Sequence, residues 1–161
     1  MNLKNVRTAC LGLAKLVYLL AAQSAMAGQY CNARFNYCVS YPDTLHPQRE
    51  ADNGDGRHFT LPSSASSIAV YAGNTPGVLG QTDAEFLKQL KSDTHQHKVA
   101  YESFKGNRYA YSYLTPTGHI FYGWVIAKVG SDYHMEFEYP QSEKAAFDPI
   151  IKQMTQSLKT N

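Results

Sequence analysis

"YAYSYLTPTGHIFYGWVIAKVGSDYHMEFEY", residues 109–139, decides the architecture. Three runs rich in aromatic and β-branched residues, Tyr109–Leu114, Ile120–Val129 and Tyr133–Tyr139, read as strands. They are separated by "TPTG" and "GSD", both turn-forming. Upstream, Val99–Phe104 forms a fourth run, joined through "KGN". Connections this short make neighbouring strands antiparallel, so the four form a meander. In the last run Met135, Phe137 and Tyr139 alternate with His134, Glu136 and Glu138. That is a half-buried strand with one wet face.

Working outward, Thr82-Asp83-Ala84-Glu85 is a capping-box signature that opens a helix to about Thr94, burying Phe86, Leu87 and Leu90. Before it, "GNTPGVLGQ" (73–81) reads as a mobile Gly/Pro-rich connection. Tyr37–Tyr41, Arg57–Leu61 and Ile68–Ala72 read as three earlier strands, the last two joined by "PSSASS". After the meander, Phe147, Ile150, Ile151, Met154 and Leu158 make one apolar helical stripe, with Asp148 as N-cap and Pro149 as first helical residue. The order is three strands, helix, four strands, helix. It predicts an α+β domain: an antiparallel sheet of about six or seven strands flanked by two helices.

The first 27 residues read as an export signal. Lys4, Arg7 and Lys15 precede the apolar run Leu16–Ala22, and Ala25-Met26-Ala27 is a small-x-small cleavage site. The run is about seven residues, against the roughly 20 needed to cross a bilayer. The expectation is a single soluble domain over residues 28–161, periplasmic or secreted, with no membrane insertion after cleavage. Three of the 15 Lys+Arg leave with the leader, so 12 remain against 13 acids, a formal charge of −1. No cationic excess remains to draw nucleic acid. Of the three cysteines, Cys10 lies in the leader, and Cys31 and Cys38 are expected to pair as a disulfide in an oxidising compartment.

The acidic stretch "EADNGDGRHF" (50–59) invites a calcium reading. Aligning Gly56 with the invariant EF-hand glycine puts Ala51 and Pro62 where oxygen ligands are required, which argues against an EF-hand. A looser cation or small-ligand site from Glu50, Asp52, Asn53 and Asp55 is the alternative to a plain turn, which the Asn-Gly and Asp-Gly pairs explain more simply. His95 and His97 are an H-x-H pair without a local third ligand. No phosphate loop, nucleophile elbow or cofactor motif occurs. A hydrolytic site would need His58, His119 or His134 brought to an acid and a hydroxyl. Tyr109, Tyr111 and Tyr113 share one strand face, and Tyr122 and Trp124 share a face of the next. Coincident and exposed, these faces make an aromatic platform for a partner. Covered by helices, they are core.

"ARFNYCVSYPDTLHPQREADNGDGRHF" (33–59) and "YPQSEKAAFDPIIKQMTQSLK" (139–159) together resemble the two ends of a family of small exported bacterial proteins. More distantly, the element order is similar to the PsbP-like fold, an α/β/α sandwich around an antiparallel sheet. The resemblance implies a non-enzymatic adaptor or binding protein that docks on a partner. It transfers no functional residue. The lack of catalytic groups and the surplus of tyrosine on strands add the expectation that the partner is another exported protein, an immunity protein being one form.

Overall fold

Ten strands and three α-helices are built from residues 26–160, the part of the chain described by this computed structural model. The leader expectation falls on residues 1–25, outside the described residues, apart from Met26 and Ala27, whose backbone opens the first strand.

The strands are β1 (Met26–Asn32), β2 (Tyr37–Pro42), β3 (His46–Glu50), β4 (Gly56–Thr60) and β5 (Ser67–Gly73), then β6 (Val99–Lys105), β7 (Arg108–Leu114), β8 (His119–Lys128), β9 (Ser131–Pro140) and β10 (Lys159–Thr160). The helices are α1 (Thr75–Leu79), α2 (Asp83–Thr94) and α3 (Lys144–Ser157). One sheet has seven strands in the order β3-β4-β5-β9-β8-β7-β6, antiparallel at every pairing. The β6–β9 meander is present as the sequence predicts, and β5 joins it to the β3–β4–β5 hairpins through β9. A second, small sheet is β1-β2-β10.

The two faces of the large sheet carry separate cores. On one, α2 seats Phe86 and Leu87 over Tyr109, Tyr111, Val125 and Ala127. On the other, α3 and the small sheet bring Phe147, Ile151, Met154 and Val39 onto Val70, Met135 and Phe137. The α/β/α arrangement follows from two amphipathic helices that must each bury a stripe on a two-sided sheet. Cys31 and Cys38 lie directly opposite each other in the β1–β2 hairpin and form the expected disulfide. Disulfides of this kind form and persist in oxidising compartments.

The capping box of α2 is complete: the Thr82 side chain accepts from the Glu85 N–H, and the Glu85 carboxylate accepts from the Thr82 N–H. Three expectations need correction. The connection 73–81 contains the helix α1, with Pro76 in its first turn and Gly80 closing it in the left-handed region at φ = 64°. The last helix starts at Lys144, so Asp148 is not its N-cap and Pro149 lies inside it. Asp148 accepts instead from Lys144 one turn earlier, and Ala145, whose carbonyl loses the Pro149 donor, is exposed to water. Finally, β1, β3 and β10 extend the two sheets beyond the strands read from the sequence.

Candidate functional site

The coverage of the two faces is unequal. Helix α3 packs on β2 and β9 and stops short of β6 and β7, leaving that end of its face open. Alternation along the strands puts Tyr101 of β6, Ser112 and Leu114 of β7, and Ile120 and Tyr122 of β8 on this open side. Tyr101 is 50% exposed and Leu114 54% exposed, both large apolar side chains without a cover. Together with Tyr139 and with Ile151, Lys144 and Asp148 of α3, they line a cavity of about 530 Å³. Its floor is apolar and its α3 rim carries an ion pair, Lys144 Nζ to Asp148 Oδ2 at 2.7 Å.

The groove's polar groups are set by the same geometry. Tyr101 and Tyr122 stack with ring centroids 6.5 Å apart. Burial, then the neighbouring Tyr101 and Tyr139, pushes the Tyr122 phenol up to about 12; burial and then Asp148 do the same for Tyr139. Both phenols are therefore neutral hydrogen-bonding groups on an otherwise greasy wall, the composition expected of a docking pocket. Further along the same face, Tyr122 and Trp124 share a smaller cavity with Ser103, Lys105 and Arg108.

The five aromatic residues read from the sequence do not form one surface. The register pairs Tyr111 with Gly123, Ser112 with Tyr122 and Ala110 with Trp124, so the β7 tyrosines and the β8 pair point to opposite sides. Tyr109 and Tyr111 lie beneath α2, 0% and 7% exposed. Tyr113 stacks on His97, centroids 4.0 Å apart, and on Phe121. Tyr122 and Trp124 are on the opposite face, Tyr122 half-buried and Trp124 buried at 8% exposure. The sequence reading did not single out Tyr101 and Leu114. Their signal is present as the outward phase of β6 and β7, but only the end of α3 makes that phase a groove.

Residues 51–55 are the turn of the β3–β4 hairpin, closed by the Ala51 N–H on the Gly56 carbonyl. Its polar groups disperse rather than converge. Glu50 turns inward, accepting from Tyr30 Oη at 2.7 Å and Asn32 Nδ2 at 3.0 Å. Asp52 pairs with Arg49, and Asp55 accepts from Asn53 Nδ2. His95 and His97 also part: His95 Nε2 meets Glu102 Oε2 at 3.1 Å while His97 stays on Tyr113. Hydrogen bonds from His95 and Lys91 hold the Glu102 carboxyl below the usual range. Among the described residues no group of three or more His, Cys, Asp or Glu is placed to share a metal ion.

Among the described residues two histidines besides His95 meet an acid: His119, whose Nδ1 lies 3.5 Å from Glu138 Oε1, and His134, the more buried of the two. His134 Nε2 lies 2.8 Å from Asp132 Oδ2, and its ring stacks on Tyr71, centroids 4.6 Å apart. Tyr71 in turn donates to Glu136 at 2.6 Å. Asp132 also accepts the Thr75 N–H at the start of α1, and the Phe86 edge closes on His134 from α2. Only 11% of the His134 side chain and 5% of the Asp132 side chain are exposed, so this cluster joins α1 and α2 to the sheet instead of facing a cleft.

The arrangement places the chain in the PsbP-like fold class. Over 96% of this chain and 98% of the other, it is similar to cyanobacterial PsbP (CyanoP) from Synechocystis sp. PCC 6803, with a TM-score of 0.57 at 10% identity. A protein from Bacteroides thetaiotaomicron VPI-5482 is also similar, with a TM-score of 0.55 at 11% identity, over 85% of this chain and 49% of that one. No family model matches the chain, and no curated protein sequence matches it.

Proposed function

We propose that this is a non-enzymatic accessory protein, periplasmic or secreted, that docks on another exported protein through the groove between β6–β8 and α3. The observation carrying the reading is the pair of uncovered side chains, Tyr101 and Leu114, at the mouth of an apolar cavity of about 530 Å³. About half of each side chain is still in water, and burying that half is worth roughly 0.8–1.5 kcal/mol each, half the figure for full burial, which a partner recovers on binding. The disulfide supports an oxidising destination, and the PsbP-like architecture supports an accessory role by analogy. Neutralising a toxic exported effector is one concrete form of the function.

The test is retention of a defined partner from periplasmic extract by the tagged protein, comparing wild type with Tyr101→Asp and Leu114→Asp. Both positions are exposed, so both variants should fold with melting temperatures near wild type. Each should lose the partner. Wild-type protein that retains nothing, or variants that retain as much as wild type, would defeat the reading.

A further inference from the structure

The large sheet has two edges, and they are treated differently. The β3 edge is five residues long, carries Pro47 and is interrupted by a register shift between Pro47 and Glu50. These are devices that stop another chain from pairing. The β6 edge is seven residues long and contains no proline; its one irregularity, between Val99 and Tyr101, lies at its start. From Tyr101 to Lys105 it runs in unbroken register.

The hairpin geometry tells which backbone groups are free. The β6–β7 turn is the two-residue Gly106–Asn107, with Gly106 at φ = 59°. In such a hairpin the residues flanking the turn exchange hydrogen bonds, and every second pair after them does too. Tyr101, Ser103 and Lys105 therefore bond to β7. Glu102 and Phe104 turn their N–H and C=O away from the sheet. A bare backbone ladder is recognised by another extended backbone.

The side chains beside that ladder specify what the extended segment carries. Lys105 and Arg108 are paired directly across β6 and β7, two cations side by side on the groove's face. Like charges so placed repel each other. Among the described residues neither forms an ion pair, whereas Lys91 and Lys144 each do. Tyr101 sits four residues from Lys105 on the same face, about 13 Å away at 3.3 Å per residue, next to exposed Leu114. We infer that β6 accepts an extended acidic segment of a protein partner as an eighth strand, with a carboxylate against Lys105 and Arg108 and an apolar side chain four residues along against Tyr101 and Leu114. This deepens the docking reading and rests on it.

A phage-displayed library of random ten-residue peptides, panned on the purified full-length protein, tests the inference. Enriched peptides should lack internal proline and carry Asp or Glu four residues from an apolar residue. They should quench or shift the fluorescence of Trp124, the chain's single tryptophan, which lines the adjoining cavity. The double variant Lys105→Glu/Arg108→Glu should weaken binding about tenfold or more, and the loss should shrink in high salt. Phe104→Pro removes an outward N–H while sparing the bonds to β7, and should weaken binding similarly.

If that proline unfolds the protein, single backbone N-methylation of the peptide replaces it. Alternate positions should abolish binding and intervening ones leave it intact. Peptides whose binding ignores both the charge reversal and the N-methyl phase, yet is lost in Tyr101→Asp, overturn strand addition and leave groove docking standing. Peptides indifferent to Tyr101→Asp as well, or no enriched peptide at all, overturn strand addition and leave groove docking to be decided by partner retention alone.

Discussion

The two sides of the β6–β9 meander carry similar chemistry and reach opposite states. Beneath α2, Tyr109 and Tyr111 are buried; across the same strands, Tyr101 and Leu114 stand in water beside half-buried Tyr122. Residue type does not make the difference. Helix placement does. Helix α2 is fastened at its start by its capping box, and Asp83 in its first turn accepts the Val129 and Gly130 N–H groups at the tip of the β8–β9 hairpin. Helix α3 is directed to β9 and β2 by its Phe147–Met154 stripe and leaves Tyr101 of β6 and Leu114 of β7 uncovered, while Ala110 and Trp124 further along the same face are buried. One substitution made on both sides tests this directly. Leu87→Ala, under α2, should cost about 2–5 kcal/mol in denaturant unfolding, because it leaves a cavity in a closed core. Leu114→Ala should stay within about 0.5 kcal/mol of wild type. Equal losses would mean that the open side is covered after all.

The closed side also holds a buried carboxyl tied to stability, Asp132. Burial alone would raise the Asp132 carboxyl, but the hydrogen bonds from His134 and from the Thr75 N–H outweigh it and hold the group below its ordinary value. A carboxyl lowered in the folded state binds protons less readily than in the unfolded chain. Its contribution is therefore complete above the unfolded value, near 4, and fades as pH falls through the folded one. Asp132→Asn should cost about 1.5–3 kcal/mol at neutral pH, the range for hydrogen bonds to charged groups. It should also flatten the loss of stability below about pH 4, seen in melting temperatures measured across the acid range. An unchanged acid slope would show that another carboxyl governs it.

How much of this was legible follows from what each signal depends on. The meander was legible because period-two alternation and turn residues are local. So was α2, whose capping box is spelled within Thr82–Glu85. Strand β3, "HPQRE", shows neither alternation nor an apolar residue to pack; it is held by pairing to β4, a partner ten residues away. Pro149 misdirected the start of α3, because proline reads as a helix opener while the packed Phe147 lies before it. The split of the tyrosines turned on the β7–β8 register. The sharing of each strand face was readable, but a one-residue slip would have brought Tyr111 and Tyr122 to the same side. The groove was least legible of all, being the space that α3 fails to fill.

Glycine 123 shows how tightly the closed side is built. The Tyr111 ring lies over it so closely that an added Cβ would collide with the ring carbons. Gly123→Ala should thus destabilise by about 1–3 kcal/mol, as overpacking does. On the open side of β8, by contrast, Tyr122→Phe should be nearly silent in thermal melts. An unperturbed Gly123→Ala would mean that the Tyr111 ring is free to swing out, and that the closure by α2 is looser than its contacts suggest.

The smallest effect expected is a gain, and it probes the fastening of α2. Val129 occupies the first central position of the β8–β9 turn at φ = 54°, followed by Gly130 at 78°. Both angles belong to the mirror-image turn that favours Asn-Gly, and a β-branched residue is a poor occupant. The valine side chain is 88% exposed and gains little from packing. Its N–H is what matters, donated to Asp83 at 2.9 Å, and asparagine keeps that donor. Val129→Asn should therefore stabilise by about 1 kcal/mol, relieving part of the left-handed cost, and raise the melting temperature by roughly 3–5 °C. Combining it with Asp83→Ala separates the two contributions. If the gain persists without the carboxylate, the strain is local to the turn. If it vanishes, the Asp83 clamp holds the valine in place, and the closed side of the sheet is stabilised through that turn.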